Sequence, residues 1–245
     1  MVRRLSCLCI LALLVPLAAS AASPAIAGSL LGSVKGGNLS VPMQTVLLLT
    51  ALTLLPAALV SVTPFLRTII VLHFLRQALG TQTAPSNQVL VGLALFLTLL
   101  TMQPITGQIY DKAWTPMQNG QITAEQAAQE AARPLRQFWT RFAKEKDIAL
   151  FLEISHSPAP RTPADVDLKV LIPAYILSEL KAAFQIGAVL YLPFLVIDLV
   201  VASVTVSVGM VQLPPVMISA PFKILLFVLV DGWNLVVGSL MKSFS

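Results

Sequence analysis

The chain has 245 residues, of which 56% are hydrophobic and 11% charged. Soluble domains carry about 25% charged residues, so this composition excludes an ordinary soluble fold and reads as an all-α integral membrane protein with one modest polar region. The formal charge of +5 is spread without any basic run, which removes nucleic acid from the classes of partner.

Residues 1–22 carry Arg3 and Arg4, an apolar run from Leu5 to Ala18, and the small residues Ala19, Ser20 and Ala21. This is the pattern of a secretory signal peptide, with a second possible cleavage after Ala25-Ile26-Ala27 and an uncleaved first membrane helix as the alternative. Both cysteines, Cys7 and Cys9, fall in this stretch, so its removal leaves no thiol for a disulfide or a metal. Residues 23–42 form a flexible lead-in. Its glycines lack the Gly-Lys-Ser/Thr ending of a phosphate-binding loop.

Apolar segments follow at about 43–62 and 88–107, forming a first helical hairpin over 43–107. The loop between them holds Arg67, His73 and Arg76 and no acid, which places it on the cytoplasmic side and residues 108–168 outside. The stretch FLRTIIVLHFLRQALG is too apolar for an ordinary loop; Phe65, Ile69, Leu72, Phe74 and Leu75 suit helix faces, with Arg67 and Arg76 snorkelling near the ends. His73 reads as a hydrogen-bonded packing residue.

The polar insert over 108–168 is a small helical periplasmic unit. Thr123 and Gln126 form a capping-box pattern opening an Ala-rich helix, and Pro134 is expected to begin a second. Leu135, Phe138, Trp139, Phe142, Leu150, Phe151 and Ile154 then fall near a 3.6-residue stripe. An insert of about 60 residues is marginal alone, so this stripe should rest on the membrane helices or on a neighbouring copy. Ser155 to Asp167 is a proline-rich loop, and the chain returns to helix from Leu168.

Residues 169–245 hold the second hairpin. Between Pro193 and Trp233, two long apolar runs flank a short connection from Gly209 to Pro215, and only Asp198, Lys223 and Asp231 carry charge. Such a charge in mid-membrane costs about 2.5–3.5 kcal/mol on insertion scales, so each is expected to face a partner or a cavity. Asp198 and Lys223 lie at comparable distances from the connection. They either neutralise one another across the hairpin or serve function directly. Asp231, eight residues beyond Lys223 and roughly 12 Å further along the same helix, needs another partner: water, a backbone donor or another subunit.

No HExxH, GxSxG or close pair of intramembrane carboxylates is present, so no enzyme, cofactor or metal site is expected. A secondary or ion transporter using the buried charges stands as the alternative to a pore, although the hairpins lack matching broken segments.

LRQALGTQTAPSNQVLVGLALFLTLLTMQPI at Leu75 to Ile105, LIPAYILSELKAAFQIG at Leu171 to Gly187, and PFLVIDLVVASV with PPVMISAPFKILLFVLVDGW resemble the FliP family of type III secretion export-gate subunits, in its flagellar branch. The resemblance covers nearly everything after residue 43. It implies a non-enzymatic inner-membrane subunit of the flagellar basal body, with a periplasmic portion, that assembles as a homopentamer into a helical multi-subunit pore. It further implies FliQ-like and FliR-like gate subunits, FlhB-like and FlhA-like export components, and unfolded flagellar substrates as partners.

In such an assembly, helices that hydropathy assigns to the membrane are largely lifted to the periplasmic side and packed on each other. Glu179, Lys223 and Asp231 match family positions where charge is associated with the gate, and Asp198 joins them as an inter-subunit candidate. Charges costly in lipid become inexpensive when paired between subunits or facing a wet lumen. The family's methionine-rich constriction falls here on Met210, Val211 and Gln212, where only Met210 keeps the methionine. A methionine ring deforms around a passing chain and reseals; Gln212 departs from that chemistry.

Overall fold

The computed structural model describes residues 41–81, 83–158, 160, 162, 165–209 and 214–244. The expected signal peptide, most of the lead-in, and Met210, Val211 and Gln212 lie outside them. The described residues are helical throughout, without strands. They divide into two units, Met1–Ala57 and Ala58–Ser245. The helix α1 (Val41–Ser61), most of which falls in the first, carries no charged residue, and Thr50 and Thr53 donate their hydroxyls to the carbonyls of Val46 and Thr50 at 2.7 and 2.9 Å.

The second unit is built on α7 (Leu168–Ser207), a 40-residue helix about 60 Å long at 1.5 Å per residue. Asp167 opens it by accepting from the Lys169 amide. Gly209 closes it: at φ +81° its backbone is left-handed and its amide bonds back to the Val206 carbonyl, a geometry glycine adopts without a Cβ penalty.

Against α7 lies α2 (Phe65–Ala78), the stretch too apolar to be a loop. Val71, Leu72, Leu75 and Ala78 are fully buried. Its contacts advance in step with α7: Arg67 meets Glu179, Val71 clusters with Ala183, and Phe74 packs on Gly187. The same helix is covered elsewhere by Leu90 and Ala94 of α3 (Asn87–Ile109). Arg67 therefore does not snorkel; it is 6% exposed and sits in the interior.

After a π-helical turn (Tyr110–Trp114) and a short α4 (Thr115–Gln118), the insert begins. The capping box forms as the sequence predicts: the Gln126 amide donates to Thr123 Oγ1 (3.3 Å) and the Thr123 amide to Gln126 Oε1 (3.0 Å). Pro134, however, begins nothing. It lies buried inside a continuous α5 (Ala124–Phe142), which forgoes one backbone bond there and keeps its apolar face packed. The break falls at Ala143 and Lys144 instead, before α6 (Glu145–Ile154). Phe138, Trp139 and Ala143 join Met102 and Ile105 of α3 with Val170, Leu171 and Tyr175 of α7 in one cluster, so the insert's apolar face is covered by the long helices. Leu150 and Ile154, expected on the same stripe, point outward.

Two described helices are long and apolar enough to cross a membrane: Asn87–Gln118, in which α3 continues through α4, and Leu168–Ser207. A third candidate is the bent pair α8 (Pro215–Leu229) and α9 (Gly232–Lys242), which meet at 68°. The bend sits at Asp231, whose backbone is left-handed at φ 50°. The expectation that Asp231 continues the helix of Lys223 is thereby corrected. Residue numbers along α8 rise as those of its α7 partners fall: Ser219 and Lys223 meet Asp198, and Phe227 meets Phe194.

Candidate functional site

Charge inside an apolar helix costs least where an opposite charge and further hydrogen bonds complete it. Along α7 this occurs at Glu179, Lys181 and Asp198, and each meets a different helix.

Glu179 is fully buried and receives Arg67 of α2 in a forked contact, Nε to Oε2 at 2.9 Å and Nη2 to Oε1 at 2.5 Å. The other arm of the guanidinium, Nη1, donates to the carbonyl (3.2 Å) and hydroxyl (3.0 Å) of Ser243. Its Cζ lies 4.1 Å from the ring centroid of Phe244 and 5.5 Å from that of Phe142. Arginine suits this site because its planar fork matches a carboxylate and its face stacks on aromatics. One turn before Glu179, the buried Tyr175 hydroxyl has no hydrogen-bond partner among the described residues, and its ring packs near Phe138.

Asp198 accepts from Lys223 Nζ at 2.6 Å through one oxygen and from Ser219 Oγ at 2.5 Å through the other. Lys223 is 1% exposed, while the Asp198 side chain keeps 23%. Ser219 and Lys223 stand four residues apart and so share a face of α8. Pairing between the two helices is thus the realised alternative of the two left open by the sequence. About 28 Å of helix separates it from Glu179, at 1.5 Å per residue.

The remaining pair joins the insert to α7. Asp147 of α6 is buried and accepts from Lys181 and from the Ser178 hydroxyl (2.7 Å), whose oxygen also receives the Lys144 amide (2.9 Å). Burial pushes the Asp147 carboxyl up, but hydrogen bonds from Lys181 and Ser178 and the charges of Lys181 and Lys144 outweigh it and hold the group below the usual carboxylate range.

Asp231 joins none of these three networks. It is exposed, and its carboxylate accepts from Asn234 Nδ2 at 3.2 Å. His73 hydrogen-bonds the Ile69 carbonyl at 2.8 Å and packs, as its apolar setting predicts. The residues that sequence reasoning overlooked are Arg67 as the partner of Glu179, Ser219, Ser243 and the Asp147–Lys181 pair. An arginine in an apolar helix with no acid on the same helix was the available sign for Arg67.

Among the described residues, no three His, Cys, Asp or Glu side chains come together as a metal site would require. Glu179, Lys181 and Asp198 of α7 are each paired with an opposite charge on a neighbouring helix, an arrangement that holds the helices in register. The class so defined is an all-helical membrane-type protein organised by internal ion pairs. The FliP family model matches residues 48–240, and the chain belongs to the FliP family.

It is 52% identical over 209 residues to the flagellar biosynthetic protein FliP of Pectobacterium carotovorum subsp. carotovorum, covering 85% of this chain and 81% of that one. It is 48% identical over 207 residues to the protein of that name from Bacillus subtilis (strain 168), covering 84% and 94%. Against the FliP of Treponema pallidum (strain Nichols) identity is 50% over 204 residues, covering 82% and 75%.

Proposed function

We propose that this chain is a subunit of the flagellar type III protein export gate of the bacterial inner membrane, where several copies and their partners surround a passage for unfolded flagellar substrates. Family membership supports the flagellar assignment. The observation that carries the pore reading is the outer half of α7 with α8. Val189, Leu192, Val196, Leu199, Val200 and Val204 are exposed, as are Phe222, Leu225 and Val228, beside a charge pair that is already neutralised. Apolar surface on this scale belongs against lipid or against other subunits.

On this reading two long helical hairpins carry a periplasmic insert, and five copies close a ring with FliQ-like and FliR-like subunits, served by FlhB-like and FlhA-like components. Met210, Val211 and Gln212 line its constriction. Asp231, exposed and in no ion pair among the described residues, reaches a neighbouring subunit. The chain works by conduction and assembly, without catalysis. The transporter alternative loses support because Asp198 and Lys223 satisfy each other and leave no open charge for a solute.

Native mass spectrometry of the gently solubilised protein, expressed with and without its operon neighbours, tests the reading. A ring near five copies that grows with the neighbours is expected. A stable monomer or dimer indifferent to them overturns it.

A further inference from the structure

Two grooves on the second unit adjoin through one side chain, Gln185. The first is basic and lies where the insert meets α7, lined by Arg141, Lys144, Lys146 and Lys181 together with Glu145 and Asp147. Asp147 is paired with Lys181 and accepts a hydrogen bond from Ser178, which leaves Glu145 as the other carboxylate in the lining beside Arg141, Lys144 and Lys146. Among the described residues Lys144 Nζ donates to the neutral Gln185 amide oxygen (3.3 Å) and makes no salt bridge, and Arg141 lies over the Phe142 ring, its Cζ 5.5 Å from the centroid. All three cations are exposed.

The second groove, of about 480 Å³, is apolar and runs onward between α2, α7 and α9, walled by Val71, Val189, Leu190, Leu235 and Leu240. From Lys181 to Leu190 is about 14 Å of helix, comparable to one leaflet's half of the roughly 30 Å hydrocarbon core. A cationic mouth opening onto an apolar channel of that reach has the polarity of one kind of molecule. We infer that these joined grooves bind an anionic glycerophospholipid, its phosphate among Arg141, Lys144 and Lys146 and an acyl chain along Val189 and Leu190.

Basic pockets beside membrane helices select anionic headgroups through charge, and the acyl chain adds apolar burial. The site shares no lining residue with the Asp198–Lys223 pair, and it does not rest on the export reading. Its role is to fix the level of the insert against the bilayer surface while α7 is in lipid.

The test is native mass spectrometry of the full chain in mild detergent, titrated with dioleoylphosphatidylglycerol, dioleoylphosphatidylethanolamine and the chain-free headgroup glycerophosphoglycerol. Phosphatidylglycerol should bind at least tenfold tighter than phosphatidylethanolamine, and the headgroup alone far more weakly than either lipid. Arg141→Gln with Lys146→Gln should weaken phosphatidylglycerol about 25-fold, fivefold for each cation, and leave phosphatidylethanolamine unchanged. Val189→Asn should weaken both lipids.

Helix content by circular dichroism checks that each variant folds. Should the double variant unfold, Lys146→Gln alone carries the test at about fivefold. Equal affinity for the two lipids overturns the proposal. So does a headgroup that binds as tightly as the intact lipid, which marks a free-phosphate site. Loss of the lipid whenever the chain oligomerises also overturns it, because the groove is then a contact between copies.

Discussion

The two halves of α7 are both predominantly apolar and have opposite surroundings. From Leu168 to Gly187 the helix is enclosed: Leu171, Ala174, Tyr175, Glu179 and Ala183 are fully buried beneath α2, α3 and the insert. From Val189 to Ser207 only Phe194 and Thr205 are buried, and hydrophobic side chains face outward on most sides. Hydrophobicity alone therefore specifies that this is a helix out of water. What covers it is set by the partners that charge and shape admit. In the inner half those partners are α2, α3 and the insert; in the outer half α8 meets α7 at Asp198 and Phe194, and most of the other side chains stay exposed.

Breaking the inner half should cost most. Glu179→Ala strands Arg67 in the interior, and truncating one member of a buried pair costs about 3–5 kcal/mol. Denaturant unfolding in detergent should register that loss, and replacing both residues, Arg67→Met with Glu179→Leu, should recover most of it.

Leu171→Ala and Leu199→Ala set the halves directly against each other. The first removes a side chain with no exposure and should cost about 2–5 kcal/mol, whereas the second should stay within about 0.5 kcal/mol for the isolated chain and weaken assembly instead. Equal losses from the two would erase the distinction.

Lys223→Ala should cost about 1.5–3 kcal/mol, less than Glu179→Ala, because Asp198 keeps Ser219 and some access to solvent. The same variant should lose export or assembly, and normal motility from it would remove the proposed role for the pair.

Gly187 marks the end of the enclosed half. A Cβ there would stand 2.5 Å from the Phe74 ring, so Gly187→Val should overpack the α2–α7 contact by about 1–3 kcal/mol, with partial rescue by Phe74→Leu.

The smallest effect is on pH. Asp147 is held below its ordinary range, so its contribution is fully present above the unfolded value of about 3.9 and is lost as pH falls through the lower folded value. Lys181 is half exposed, which limits the pair to about 1 kcal/mol, and Asp147→Asn should flatten the stability profile in that acid window.

Much of the helical order was legible because it is local. The Thr123–Gln126 box, the apolar runs and the glycine that ends α7 are all written within a few residues of where they act. The facing of Asp198 and Lys223 was legible too, because their separations from the Gly209–Pro215 connection are similar. Arg67 and Glu179 were not, since 112 residues separate them and no periodicity links the two. Position misled as well. Arg67 near a helix end looked free to snorkel, but α2 lies inside the bundle, where the end of a helix is as dry as its middle.

Pro134 looked like a helix start because proline is favoured there, and the apolar face around it outweighed one missing hydrogen bond. The left-handed turn at Asp231 did have a sequence signal, the Asp231-Gly232 turn dipeptide with an aspartate that tolerates this conformation, and the apolar runs on either side hid it.

The contacts of Arg67 also have a dimension of time. Its guanidinium reaches to Ser243, 176 residues later in the chain. At 5–20 residues per second, roughly 10–35 s of synthesis separate the two. Through that interval the arginine has at best its carboxylate, and until Glu179 emerges not even that. An intermediate that cannot finish solvating an interior cation has to be held somewhere wet or chaperoned. Synthesis of Ser243 and Phe244, more than insertion of the first helices, thus decides when this half of the molecule becomes settled.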